Sequence, residues 1–258
     1  MKLIVTTTQS MTEIEADLET FLSESGLPFV PRNHMGLGKL MERFQAEGII
    51  AWGASGPILY FGNEKFFFHP NMAKRRIAFF RKQQKPDIMI EAAGLERGDS
   101  FLDCTLGLGA DSIVASYFSA TGRITGLEHQ PEIAHVIHWG MKRYCNEMSW
   151  LQEAVRRIEV IAADHKEYLP GLEDLSYDIV YFDPMFTKPI LKSRPISPLR
   201  RIADHEPLEQ STINEACRVA RKRVVMKDLA EGEELERLGF QKISRSKYNK
   251  LAYGVINV

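Results

Sequence analysis

Asp183-Pro184-Met185-Phe186 puts a carboxylate, a proline carbonyl and an aromatic ring within four consecutive residues. That combination suits one kind of chemistry. An amine attached to a π system is a poor nucleophile because its lone pair is delocalised. If the Asp183 carboxylate and the Pro184 carbonyl accept its two N–H bonds, the nitrogen can pyramidalise and aim its lone pair outward, so orientation does most of the work. Phe186 is expected to stack on the planar acceptor and exclude water. Asp183 can also take the departing proton, as can solvent. Asp183, Pro184 and Phe186 are therefore the expected catalytic group.

A second set of residues suits a nucleoside. In Asp103-Cys104-Thr105-Leu106-Gly107-Leu108-Gly109, the two glycines let the backbone bend sharply and approach a ligand that a β-carbon would exclude. The third glycine of a dinucleotide fingerprint would fall at Ser112, which argues against NAD. Glu128 follows Gly109 by 19 positions, where an acid that accepts hydrogen bonds from ribose hydroxyls is expected. Asp164 and His165 close the next apolar segment.

These residues need strand ends to hold them, and the sequence supplies strands. FLDCTL, RITGLEH, IEVIAAD, YDIVYFD and RVVMKD read as strands, and helical segments come between them: ADSIVASYFSA, residues 131–148 and TINEACRVARK. Such alternation predicts an α/β fold, a Rossmann-like parallel sheet with helices on both faces. FQKISRSK and LAYGVINV are expected to add an antiparallel terminal strand. Before this lie strand MKLIVTTT, a helix over 12–25, helical GLGKLMERFQAEG, and two arms, IIAWGASGPILYF and EKFFF, around a Gly62-Asn63 turn. The predicted division is a small N-terminal α+β domain at 1–70 and a larger domain at 71–258. Residues 65–86 hold seven basic residues and no acid, and predict a basic helix between the two.

Together, FLDCTLGLGADS, GLEHQP, the acid at Asp164, and DIVYFDPMF with a late RVVMKD strand resemble the class I methyltransferases. DPMF stands where methyltransferases that act on nitrogen carry (D/N)PP(Y/F). The chain is most similar to the bacterial small-subunit ribosomal RNA guanine-N2 methyltransferase family, over about residues 74–258. That resemblance implies S-adenosyl-L-methionine (SAM) as cofactor. It also implies SAM contacts at Ala110, Asp111, Glu128, His129, Asp164, His165 and Asp183, with the acid at Asp164 accepting the adenine amino group, and these join the Asp103, Gly107 and Gly109 already expected to bind the cofactor at the glycine turn.

Composition limits the alternatives. The 258 residues carry a net charge of -1, so the chain is no general polycation, and nucleic-acid contact must come from local patches. One such patch is residues 185–203, where Lys188, Lys192, Arg194, Arg200 and Arg201 lie among prolines with no acid, a loop suited to grip phosphates. With the basic stretch at 65–86, it suggests a polyanionic substrate, which the resemblance implies is RNA, either ribosomal RNA or the small ribosomal subunit. Three scattered cysteines suggest neither disulfides nor a metal site. No segment approaches the roughly 20 apolar residues of a membrane span, and the N-terminus is too short in apolar residues for a signal peptide. A cytoplasmic enzyme with no membrane or metal partner is expected, its oligomeric state left open. Other acceptors remain in view (a protein glutamine, a DNA adenine, a small amine), as does a non-catalytic RNA-binding module.

Overall fold

β-branched and aromatic runs near the N-terminus pair into one sheet, and the alternating segments after them pair into a second. A computed structural model describes residues 1–11, 14–184, 206–245 and 251–258. The first sheet has the order β1-β2-β3-β4. Its strands are β1 (Leu3–Thr7), β2 (Gly48–Gly53), β3 (Gly56–Phe61) and β4 (Glu64–Phe66). β1 runs parallel to β2, and the other neighbours are antiparallel. Helices α1 (Ala16–Ser25) and α2 (Leu37–Phe44) connect β1 to β2.

The expected arm IIAWGASGPILYF is in fact two strands. It folds back at Ala54-Ser55, between Gly53 and a Gly56 whose φ of 104° only glycine adopts readily. The turn at Gly62-Asn63 joins β3 to β4 as the sequence implies.

α3 (Asn71–Gln83) leads into α4 (Ile88–Ala93), a short helix that the reading of the strands passed over. Its start was visible as Pro86-Asp87: the Asp87 carboxylate accepts from the Met89 N–H, an N-cap. The second sheet is built from β5 (Phe101–Asp103), β6 (Ile124–Glu128), β7 (Ile158–Ala162), β8 (Tyr177–Phe182), β9 (Ala220–Leu229), β10 (Gln241–Arg245) and β11 (Leu251–Asn257). Its order is β10-β11-β9-β8-β5-β6-β7, with β11 alone reversed. The fold is Rossmann-like, with the expected antiparallel terminal strand. α5 (Ala110–Phe118) follows β5 and α6 (Pro131–Lys142) follows β6. The helix expected over 131–148 ends at Lys142, and a separate α7 (Ser149–Arg156) follows. Asn146 explains the break: its side-chain oxygen accepts from the Met148 N–H, while its own N–H donates to Gln152, a local turn that competes with continued helix.

Alternation along the strands creates two cores on the large sheet. Val225, Tyr181, Phe101 and Tyr253 face α3, α4 and α5, while Val224, Phe182, Leu102 and Ala252 face the helix Gln210–Val219. The first core does not stop at the sheet. It continues through α6 to Trp52 and Phe21, with ring centroids 5.3 Å apart for Trp52–Trp139 and 5.2 Å for Phe21–Trp52. Trp139 also donates to Glu24 at 2.9 Å, and Arg143 reaches Asp17 at 2.8 Å. Among the described residues no helix is long and apolar enough to cross a membrane.

Because Trp139 packs against both parts, Trp139→Ala is expected to cost about 3–5 kcal/mol in urea unfolding. Wild-type circular dichroism and tryptophan fluorescence should report one transition. Two separate transitions would contradict a shared core.

Candidate active site

In the large sheet the chain steps outward from β5 through β6 to β7, then returns to β8 on the other side of β5. Loops leaving β5 and β8 diverge there, so a crevice opens at the carboxyl ends of these strands. Among the described residues it is lined by Thr105, Gly107, Glu128, His129, His165, Asp183 and Pro184, together with Cys104, Leu127, Gln130, Ile133, Glu206 and Leu208.

The β5 turn is held in shape by carboxylates. Asp103 is buried, and it accepts from the Ser112 hydroxyl at 2.7 Å and the Thr105 N–H at 3.0 Å, tying the strand end to α5. Gly107 and Gly109 have φ of 50° and 71°, the left-handed region that the sharp bend requires. Glu128 closes the bend from the next strand, accepting from the Gly107 N–H and the Gln130 N–H, each at 3.1 Å. Burial pushes the Glu128 carboxyl up, and these two N–H groups partly offset that. Each of its oxygens keeps further acceptor capacity.

Asp183 sits across the crevice. Its N–H donates to the Thr105 hydroxyl at 2.6 Å, which joins the end of β8 to the glycine bend. Its carboxylate takes a 2.6 Å ion pair from Lys227 on β9, and the same ammonium lies 3.3 Å from Asp111. Asp111 also pairs with Arg76 of α3, and Arg76 forks onto Asp87 at 2.7 and 2.8 Å. The result is a half-buried row of alternating charges, Asp87, Arg76, Asp111, Lys227 and Asp183, with Asp111 the most buried of the five. Burial works against the Lys227 charge, but Asp111 and Asp183 outweigh it and hold the ammonium well above the usual lysine range. Burial also opposes ionisation of Asp111, yet Lys227 and Arg76 keep it charged. Asp183 ends up raised, by burial and by Asp111, against the pull of Lys227.

The structure sorts the expected residues. It brings Gly107, Glu128, His129, His165, Asp183 and Pro184 into one crevice. Asp103, Gly109, Ala110 and Asp111 stand behind the lining: Gly109 caps α5, Ala110 opens it, and the Asp111 carboxylate is committed to its two cations. Asp164 is a hub rather than a wall. It caps the helix His165–Tyr168 and lies 3.3 Å from His129 and 3.8 Å from His165. Phe186, Lys188, Lys192, Arg194, Arg200 and Arg201 lie outside the described residues. Sequence reasoning missed Thr105 and Lys227. Thr105 stood inside the quoted glycine turn, and Lys227 directly follows the buried Val224-Val225-Met226 run of an interior strand, where an ammonium needs a partner.

The lining fits a nucleoside that carries positive charge. Its acids are Glu128, Asp183 and Glu206, and no lysine or arginine is among the described lining residues. A carboxylate beside a left-handed glycine offers acceptors for a sugar diol where the backbone can come close.

Comparison with known proteins agrees with this geometry. Residues 65–251 match a family model described as "Putative SAM-dependent methyltransferase". YpiP of Bacillus subtilis, an uncharacterized protein, is 39% identical over 90% of each chain. Ribosomal RNA small subunit methyltransferase J of Thioalkalivibrio sulfidiphilus is 27% identical, over 57% of this chain and only 59% of that protein. The crystal structure of a SAM-dependent methyltransferase from Neisseria gonorrhoeae aligns with a TM-score of 0.65, covering 99% of this chain and 95% of the other at 21% identity, a likeness of fold.

One titration tests the buried turn. Burial lifts Asp103 from 3.8 to about 7 despite the Ser112 and Thr105 hydrogen bonds, with Asp111 and Asp183 adding to the rise. The folded state then holds a proton on Asp103 that the unfolded chain has released, so this group's contribution to stability falls as pH rises from about 4 to about 7. Asp103→Asn is expected to lose less urea resistance than wild type between pH 5 and pH 8. Parallel losses would show that Asp103 is not the titrating group.

Proposed function

We propose that this chain, which belongs to the SAM-dependent methyltransferase family, methylates the exocyclic N2 amine of a guanine in small-subunit ribosomal RNA. The cofactor supplies a methyl group on a positively charged sulfur. Glu128 accepts the ribose hydroxyls, and the Gly107 bend admits the cofactor close to the backbone. Asp164 orients His129 and His165 beside the base. Asp183 and the Pro184 carbonyl accept the two N–H bonds of the target amine, turning its lone pair toward the cofactor. Lys227 fixes the Asp183 carboxylate in one orientation, so little reorganisation is needed at the moment of reaction.

One observation carries this reading: Asp183 lines the same crevice as Glu128, with its carboxylate clamped by Lys227 at 2.6 Å. A planar amine held there meets an acceptor whose position is already set. The choice of RNA rests on the relatives named ribosomal RNA small subunit methyltransferase J and on the basic segment at 185–203. In that segment Phe186 stacks on the extruded guanine, and Lys188, Lys192, Arg194, Arg200 and Arg201 hold the flanking phosphates. An enzyme of this kind works in the cytoplasm, where ribosomes are assembled.

The deciding experiment is transfer of tritiated methyl from SAM to RNA, protein and DNA taken from a strain lacking the gene. Label in small-subunit RNA, at N2 of guanine after nuclease digestion, is the expected result; label confined to protein or DNA would overturn the RNA assignment. Asp183→Ala should abolish transfer while changing SAM affinity only modestly by calorimetry, and a fully active variant would remove the amine-orienting role.

Lys227→Met probes the clamp separately. Loss of the ammonium removes the charge that holds Asp183 down, so the carboxyl pKa rises and the acid limb of the rate–pH profile moves to higher pH. Lys227→Arg restores charge and should return the limb toward its wild-type position. A profile unmoved in Lys227→Met would reduce Lys227 to a packing residue.

A further inference from the structure

α3 presents two different faces. Ala73 and Ile77 are buried, and Arg76 turns inward to the charge row behind Asp183. Met72, Arg75, Phe79 and Lys82, spaced three, four and three residues apart, form a single exposed stripe. Phe79 is 57% exposed and Met72 54%. A lone exposed apolar residue is ordinary on a protein surface. Here two of them alternate with cations on one stripe, and Arg75 and Lys82 make no ion pair among the described residues. α3 carries no acidic residue, in a chain whose net charge is -1. The positive charge is therefore local to this helix rather than a property of the whole molecule.

The surroundings extend the same chemistry. Beside the stripe, the Arg81 guanidinium lies 5.3 Å from the Trp150 ring centroid and donates to the Tyr117 hydroxyl at 3.2 Å. Phe80 packs edge-on against Phe118, with centroids 4.7 Å apart. The Phe79 ring has no aromatic partner among the described residues, although its neighbours in sequence and space do. An exposed ring flanked by unpaired cations matches what a single-stranded polynucleotide offers, a flat π face between two phosphates. A protein surface would have to supply acids and an apolar pocket together.

We propose that the outer face of α3 is a docking surface for a single-stranded segment of the RNA substrate. Phe79 stacks on a base, and Arg75 and Lys82 neutralise phosphates on either side. Because Arg76 lies on the inner side of the same helix, the docked strand lies about one helix diameter, roughly 10 Å, from Arg76, with Asp183 farther along the row beyond Asp111 and Lys227. Binding on α3 would thus anchor the substrate beside the crevice rather than in it. This inference rests on the RNA reading above.

The test is filter binding of in-vitro-transcribed small-subunit ribosomal RNA to the full chain at several salt concentrations, comparing wild type, Phe79→Ala and Arg75→Gln/Lys82→Gln. All three altered residues are exposed, and SAM affinity by calorimetry serves as the control for folding. Phe79→Ala should bind the transcript roughly tenfold more weakly, from the loss of one stacked base. The double variant should flatten the slope of log affinity against log salt by about 1.4, the share of two single-strand phosphates. SAM affinity should stay unchanged in both. If wild type binds and methylates the transcript while both variants match it in affinity and slope, the docking surface is overturned and the RNA reading stands. That result would leave the stripe to a protein partner. If wild type neither binds nor methylates the transcript, the RNA reading fails and this proposal goes with it.

Discussion

The half-buried row of charges from Asp87 to Asp183 is the constraint around which the catalytic end of the molecule is arranged. Drawing ionised groups largely out of water is costly, and the cost is offset only when each charge meets its opposite in good geometry. Here each cation serves two carboxylates: Arg76 holds Asp87 and Asp111, and Lys227 holds Asp111 and Asp183. The five groups come from the cap of α4, from α3, from α5, from β9 and from the end of β8. Moving any one of these elements would strand a charge in the interior. The row therefore sets the mutual positions of five elements and, at its far end, the orientation of one carboxylate.

The opposite wall of the crevice is built on hydrogen bonds rather than ion pairs. Thr105 takes part in both walls, since it donates to Asp103 and accepts from the Asp183 N–H. Glu128 holds the glycine bend from β6. Two carboxylates, Glu128 and Asp183, thus face one cavity for different reasons. Glu128 is held by backbone N–H groups, whereas Asp183 is held by an ammonium, and the carboxylate oxygens of both keep further acceptor capacity. An acid-rich lining also favours a positively charged sulfur over a neutral ligand of the same shape, which fits membership of the SAM-dependent methyltransferase family.

Much of this was legible from local patterns. The seven strand segments of the large sheet, the reversal of the last of them, and the positions of Gly107, Glu128 and Asp183 at or just beyond strand ends all follow from periodicity and spacing. Departures arose where a side chain competed with the pattern. Asn146 ended a helix that apolar spacing would have continued to Met148, and Gly53 and Gly56 turned one apparent strand into two. Short α4 was hidden because six residues are too few for a periodic signal.

The sequence by itself determined which residue types end each strand, because strand and turn preferences act over a few neighbours and leave their mark in order along the chain. It could not say which of those acids would face the crevice. Asp103 and Asp111 look as suited to a ligand as Glu128 does, yet Asp103 is spent on Ser112 and Thr105, and Asp111 on Arg76 and Lys227. Only the tertiary structure decided that, since a carboxylate's role depends on which cation or N–H reaches it first in space. Arg76 stands 35 residues from Asp111 and Lys227 stands 116 residues from it. No local pattern spans such distances; the packing of α3 against α5 and the pairing of β9 with β8 close them.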